Sequence, residues 1–252
     1  MNQKRRDAAQ SLSAVDRAVD IRHLSFRWQR QAPIALALDR LSIGKGERVF
    51  IEGPSGSGKS TLLSLLAGVT VPQQGELTVL GRRLDQLAGA QRDHFRAHHI
   101  GYVFQMFNLI PYLSMVDNVV LPCRFSKARH DKAVQRSRSL KSEAMRLLEH
   151  LDMAQADLLH RPVTALSVGQ QQRVAAARAL MGEPELLIAD EPTSSLDANR
   201  REAFVRLLFQ ECEQAGSTVV FVSHDTSLEG LFDRTIRLAE LNTAGESRAR
   251  AD

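Results

Sequence analysis

Short apolar runs alternate with longer helical stretches along most of this chain. Ile21–Phe26 and Leu38–Ile43 are β-rich and read as strands. Arg48–Ile51 is a third, short and apolar, and it ends at a glycine-rich turn before the helical run Ser60–Ala67. Glu76–Val79 and Ile100–Phe104 read as further strands. Leu186–Ala189 and Thr218–Val222 are continuous apolar runs, the pattern of strands buried on both faces. Helical periods at Gln170–Met181 and Arg200–Ala215 lie around them. Strands alternating with helices predict an α/β fold, a parallel sheet with helices on both faces. From Val116 to about Leu159 the pattern is helical and rich in charge, so 107–165 reads as an inserted helical subdomain. The domain is expected over 20–241, with its first core part at 20–106 and its second at 166–241. Residues 1–19 and the tail 242–252 are polar and expected to be loose.

Composition narrows the class only a little. The chain has 252 residues, enough for one or two domains with a buried core. The net charge of +4 does not demand nucleic acid. Cys123 and Cys212 are the two cysteines; they make neither a metal spacing nor a disulfide framework, which fits a reducing compartment. No apolar stretch follows the basic N-terminal residues, so no secretory leader is read there. No apolar run approaches the ~20 residues needed to span a bilayer. Work at a membrane would therefore need a partner to dock on.

The chemistry starts at Gly53-Pro54-Ser55-Gly56-Ser57-Gly58-Lys59-Ser60-Thr61. This matches Gly, four residues, Gly-Lys and then Ser or Thr, the phosphate-loop pattern. Glycines let the backbone curl so that its N–H groups form an anion nest. The helix that follows adds its positive end. Lys59 can reach the β- and γ-phosphates of a nucleotide, and Ser60 can ligate Mg²⁺. The bland alternative is a glycine turn between a strand and a helix.

A second piece is Asp190-Glu191, which ends the apolar run Leu186–Ala189. In a parallel sheet, ligands lie beyond the carboxyl ends of strands. That places Asp190 near the Mg²⁺, through water, and leaves Glu191 to orient and deprotonate an attacking water. A third piece is Leu166-Ser167-Val168-Gly169-Gln170, with capping-box spacing between Ser167 and Gln170. It is a helix start with a hydroxyl and a glycine, either a second phosphate site or a plain capped helix.

Together these residues resemble the motifs of ABC-type ATPases, with Ser167–Gln170 matching the signature. Gln105 matches the family's glutamine after a strand, and Ser194-Ser195-Leu196-Asp197 looks like its D-loop. His224 matches the switch histidine, and Trp28 stands where the family stacks an aromatic on adenine. The resemblance covers about 20–240. Within the family, the stretch from Gly101 to Pro122 looks most like the lipoprotein-release and macrolide-export group, LolD/MacB-like. It implies a P-loop NTPase (RecA-like) parallel-sheet core with an antiparallel β subdomain and an α-helical insertion. It implies ATP and Mg²⁺, with Gln105 joining Ser60 and Asp190 at the metal, and Lys59, Gln105, Glu191 and His224 in catalysis. It also implies a homodimer in which Ser167 and Gly169 of one copy cap ATP on the phosphate loop of the other, with Gln170 and Asp197 nearby. The output would go to a separate integral membrane permease, with the ATPase on the cytoplasmic side of the inner membrane. Two departures stand out: Val168 replaces the usual glycine, and Gln170 an acidic residue common in this group.

Some residues keep two readings. Trp28 alone could be core. His94 and His98 are four apart but lack a further ligand nearby, so a solvated helix is the default. Arg124–Arg146 carries eight Arg or Lys against Asp131 and Glu143, and reads as a solvated face, a lipid-headgroup contact or a nucleic-acid contact. Met106–Leu113 is either core or part of a groove that receives a permease helix. Two rival functions also stay open: mechanical activation of a membrane partner without transport, and a soluble ATPase acting on nucleic acid or ribosomes.

Overall fold

The computed structural model describes residues 16–153 and 162–245. The first elements are strands β1 (Arg17–Phe26), β2 (Leu36–Gly44) and β3 (Arg48–Glu52), then helix α1 (Lys59–Leu66). Strands β4 (Gln74–Val79) and β5 (Arg82–Arg83), helix α2 (Gly89–His99) and strand β6 (Ile100–Val103) follow. Next come helices α3 (Met115–Val120), α4 (Lys127–Ser137), α5 (Leu140–His150) and α6 (Val168–Leu180). The chain then runs through β7 (Leu186–Asp190), α7 (Ala198–Ala215), β8 (Thr218–Val222), β9 (Arg234–Arg237) and α8 (Leu238–Leu241). Two compact units divide it, one from 1–93 and 220–252, the other from 94–219.

In the first unit, β2-β1-β4-β5 form an antiparallel sheet. Ile21 and Leu24 are both buried although three residues apart, which a regular strand of period two does not allow on one face. A bulge against β4 resets the phase there, with His23 at φ 46°. Gly75 passes this bulge so closely that a Cβ would sit 2.3 Å from the His23 carbonyl oxygen. In the same unit β3 pairs parallel with β9 and lies beside the end of β8. Phe50, Phe221 and Phe232 pack there with ring centroids 5.1–6.2 Å apart. Leu62, Leu63, Leu65 and Leu66 of α1 are fully buried.

In the second unit β6 pairs parallel with β7, and β7 lies beside the start of β8. Helix α6 crosses β6 with an alanine-rich stretch, Ala175–Ala177 and Ala179, which permits a close approach. A Cβ on Gly101 would lie 2.4 Å from the Ala179 carbonyl oxygen, so only glycine fits that crossing. Arg129 of α4 is buried and donates to the carbonyls of Ala179, Met181 and Ile100 at 2.8, 2.8 and 3.2 Å. Burial pushes its pKa down to about 10, which leaves it charged at neutral pH.

Three features differ from the sequence expectations. Strand β1 begins at Arg17, inside the stretch expected to be loose, because Ala18 and Val19 are apolar and buried. Asn242 is anchored by hydrogen bonds rather than loose; residues 246–252 of that tail, like 1–15, lie outside the described residues. The basic run 124–146 is also less of a free positive face than its composition suggests. Arg129 is buried, Arg136 and Arg146 pair with Glu183 and Glu211, and Lys127 pairs with Asp131. Among the described residues, no helix is long and apolar enough to cross a membrane.

Candidate active site

The first unit carries the glycine loop, Trp28 and His224. Strand β3 stops at Glu52 and α1 begins at Lys59, so Gly53–Gly58 is the whole connection. Gly58, the residue that caps α1, has φ 100°, a conformation L side chains rarely adopt. Space is tight there too: a Cβ would meet Leu36 Cδ1 at 3.0 Å and the Ala35 carbonyl oxygen at 3.2 Å. A Cβ on Gly53 would lie 2.5 Å from Ser57 Oγ. Lys59 Nζ donates to the carbonyls of Gly53 and Pro54 at 2.5 and 3.0 Å, so the loop wraps around its own lysine. Pro54, Ser55, Gly56 and Ser60 are exposed, whereas Thr61 is buried. No acidic residue occupies the first turn of α1, so the positive end of the helix is uncompensated. An anionic group with a divalent cation fits this arrangement: open backbone, a helix start, one ammonium and an exposed hydroxyl.

Trp28 is 57% exposed and stands edge-on to Phe26, with centroids 5.1 Å apart. It is therefore not a core residue. It lines a cavity of about 530 Å³ with Arg27, Arg30, Ile34 and Gln73. Gln73 fixes that cavity's rim, accepting from the Arg27 N–H at 2.8 Å and donating to its carbonyl at 2.9 Å. His224 is exposed two residues past the end of β8. Its neighbour Asp225 is locked, accepting from the Ser227 N–H and hydroxyl at 3.1 and 2.6 Å.

The second unit carries Gln105, Asp190, Glu191, Ser167–Gln170 and Asp197. Strand β7 is buried through Ala189 and delivers Asp190, half-buried, at its carboxyl end. Glu191 follows at φ 48° with only 9% of its surface exposed. A non-glycine residue held in that region stores strain, a feature that clusters at functional sites. Burial, and then the charge of Asp190, raise the pKa of Tyr102 on β6. Val103 pairs with Ala189, so Gln105 and Glu191 each lie two residues past these paired positions of neighbouring parallel strands. The turn after Gln105 is clamped from α6: Arg178 donates to the carbonyls of Phe107 and Asn108 at 2.6 and 2.7 Å. Those two residues have φ 58° and 49°. Met106 and Tyr112 are each about 80% exposed while Phe107 is buried, so Met106–Leu113 is not a core stretch as a whole.

Ser167 caps α6 through a reciprocal capping box: its hydroxyl accepts from the Gln170 N–H at 3.3 Å, and Gln170 Oε1 accepts from the Ser167 N–H at 2.9 Å. Val168 is 56% exposed. A Cβ on Gly169 would find only Leu196 Cδ2, at an ordinary 3.5 Å. Asp197 caps α7 by accepting from the Arg200 N–H at 3.0 Å. Nothing in the residue pattern pointed to Gln172, which is fully buried and accepts from Ser195 Oγ at 2.5 Å, tying α6 to the segment before Asp197. Nor did the pattern single out Arg178; a Gln run and an Arg among alanines look like ordinary helix. The rings of His94 and His98 lie 3.9 Å apart, tilted by 34°, and His99 bonds Glu185 at 2.6 Å.

Residues 36–194 match the family model described as ABC transporter. The lipoprotein-releasing system ATP-binding protein LolD of Syntrophotalea carbinolica is 38% identical over 205 residues, 81% of this chain and 86% of that protein. The macrolide export ATP-binding/permease protein MacB of Chlorobaculum tepidum is 38% identical over 200 residues, 79% of this chain, but those span only 29% of its length. The dimeric structure of the ATP-binding cassette MJ0796 in a post-hydrolysis state, bound to ADP and Pi, superposes with a TM-score of 0.76 at 33% identity, covering 88% of this chain and 95% of that one. The chain belongs to the ABC transporter family, as an ATP-binding and ATP-hydrolysing cassette.

Proposed function

We propose that this cassette pairs head to tail with a second copy and drives a separate membrane permease, docking on its cytoplasmic side. The observation that carries the pairing is Gly169. Nothing among the described residues would obstruct a Cβ there, yet a glycine stands at the start of a capped helix beside the exposed Val168. A helix start so arranged suits a phosphate presented from outside the chain. The dimeric cassette MJ0796 bound to ADP and Pi is a precedent for such pairing. The names of the LolD and MacB relatives favour a permease of the lipoprotein-release or macrolide-export kind.

In this reading the Gly53–Thr61 backbone and Lys59 bind the phosphates, and Trp28 stacks on the adenine. Ser60, Asp190 and Gln105 hold Mg²⁺, which when bound neutralises charge on the phosphates. Glu191 takes the proton of the attacking water, and His224 donates to the transferred phosphoryl oxygens. Ser167, Gly169 and Gln170 of the other copy cap the nucleotide, with Asp197 at the same interface. The exposed Met106 and Tyr112 beside Gln105 offer an apolar contact for the permease.

A mixing experiment tests the shared site. Lys59→Ala and Ser167→Arg should each abolish ATP turnover alone. Mixed, they should regain activity, because one of the two sites in the mixed dimer draws its loop and its signature from intact segments. A mixture as inactive as its components would show that each site is built within one chain. Co-purification with a membrane protein, followed by a transport assay, then separates transport from mechanical activation.

A further inference from the structure

The C-terminal segment packs behind the glycine loop at two points. Leu238 is fully buried, and its Cβ lies 3.8 Å from where a Cβ on Gly53 would be. Asn242, just past α8, uses both ends of its side-chain amide. Its Oδ1 accepts from the N–H groups of Ala37 and Ala244 at 2.9 and 3.1 Å. Its Nδ2 donates to the carbonyls of Ala35 and Ser57 at 3.2 and 3.0 Å. Two donors on one side and two acceptors on the other leave one orientation for the amide.

We propose that Asn242 is a positioning residue for the phosphate loop, and this rests on reading Gly53–Thr61 as the phosphate site. The Ser57–Gly58 peptide is trans, since the described chain has no cis bonds. In a planar trans peptide the C=O and the N–H point in opposite directions. By holding the Ser57 carbonyl on its own side, Asn242 aims the Gly58 N–H toward the opposite side. One donor of the anion nest is thus set before a nucleotide arrives, and preorganisation of this kind lowers the ordering cost of binding. The same bonds tie the loop to the start of β2, so the segment after α8 becomes part of the nucleotide site.

The experiment uses the full chain and Asn242→Asp. Aspartate can still accept from Ala37 and Ala244 but has no donor for Ala35 or Ser57. The dissociation constant for MgATP should rise by about threefold to tenfold, the range for the one lost bond that reaches the loop. The turnover number at saturating ATP should stay within about twofold, because this bond does not touch the reacting atoms. Amide exchange in the peptide containing Gly58 should speed up in the nucleotide-free protein. Thr243→Ala, which removes only a 3.4 Å bond to the Ala37 carbonyl, should change neither. Lys59→Ala runs alongside. If Lys59→Ala loses affinity while Asn242→Asp binds ATP and exchanges like wild type, the role of Asn242 is overturned. If both bind like wild type, the phosphate-loop reading itself falls. Where Asn242→Asp does not fold, Asn242→Ser replaces it: serine is too short to span to Ser57, and the same losses are expected.

Discussion

Two helix starts in this molecule meet the same description and are built differently. At α1, the chain enforces its own geometry: Gly58 has φ 100° and little room for a Cβ, Gly53 is pressed by Ser57, and Lys59 and Asn242 hold the loop's carbonyls. At α6, a capping box satisfies the helix end and the chain asks nothing of Gly169. On the proposed reading the first is a nest complete within one copy and the second is one side of a shared site. The difference between the glycines is steric: a side chain would be strained at Gly58 and not at Gly169.

Removing Glu191 should separate binding from turnover most sharply. Glu191→Gln should keep MgATP affinity, because the loop at α1 is untouched, while phosphate release falls by roughly 10²–10⁴. Wild-type turnover in a phosphate-release assay would dismiss Glu191 as the base.

The contrast between the glycines comes next. Gly58→Ala should weaken nucleotide binding by about tenfold or more, since the positive φ alone costs of order 1–3 kcal/mol. Gly169→Ala should leave binding to the isolated copy unchanged. It should raise Tm slightly, by the roughly 0.5–1 kcal/mol that alanine gains over glycine in a helix, while ATP-dependent dimerisation weakens. Equal effects of both substitutions on titration and sedimentation would erase the comparison.

Val168→Gly should have a smaller effect. It removes an exposed branched side chain where the family usually has glycine, and should tighten the ATP-bound dimer by about two- to fivefold in sedimentation, less the small entropy cost of one freer backbone position.

Acid should disturb the two regions unequally, by the least. Glu211 of α7 is buried, which favours its neutral form, but the hydrogen bonds and charge of Arg146, with His150 and Arg136, outweigh this and hold its carboxyl below the usual range. A depressed folded-state pKa contributes stability that is present above the unfolded value of about 4.3 and lost as pH falls through the folded one. Tm should therefore drop below about pH 4 by a few degrees more in wild type than in Glu211→Gln, whose baseline is already lower. Parallel acid curves for the two proteins would remove Glu211 from this role.

The sequence alone determined most of the strands and the set of motifs, but not β5, β9 or α8. A short apolar run such as Thr218–Val222 between helical stretches fits a strand buried on both faces, and the fixed spacing of Gly53, Gly58 and Lys59 is a backbone requirement written in residue types. It erred where polarity was read as looseness. Asn242 looks like tail because an Asn has no periodic signature, yet its amide satisfies four backbone groups, three of them brought to it by the start of β2 and the loop. Arg129, Arg178 and Gln172 were equally silent: each acts through partners 23 to 71 positions away. Exposure of Trp28, the strain at Glu191 and the absence of any internal need for Gly169 were likewise decided only in three dimensions. Local spacing encodes what the backbone does within a few residues. Which distant carbonyl a side chain meets, and which glycine its own fold leaves unexplained, is settled by packing.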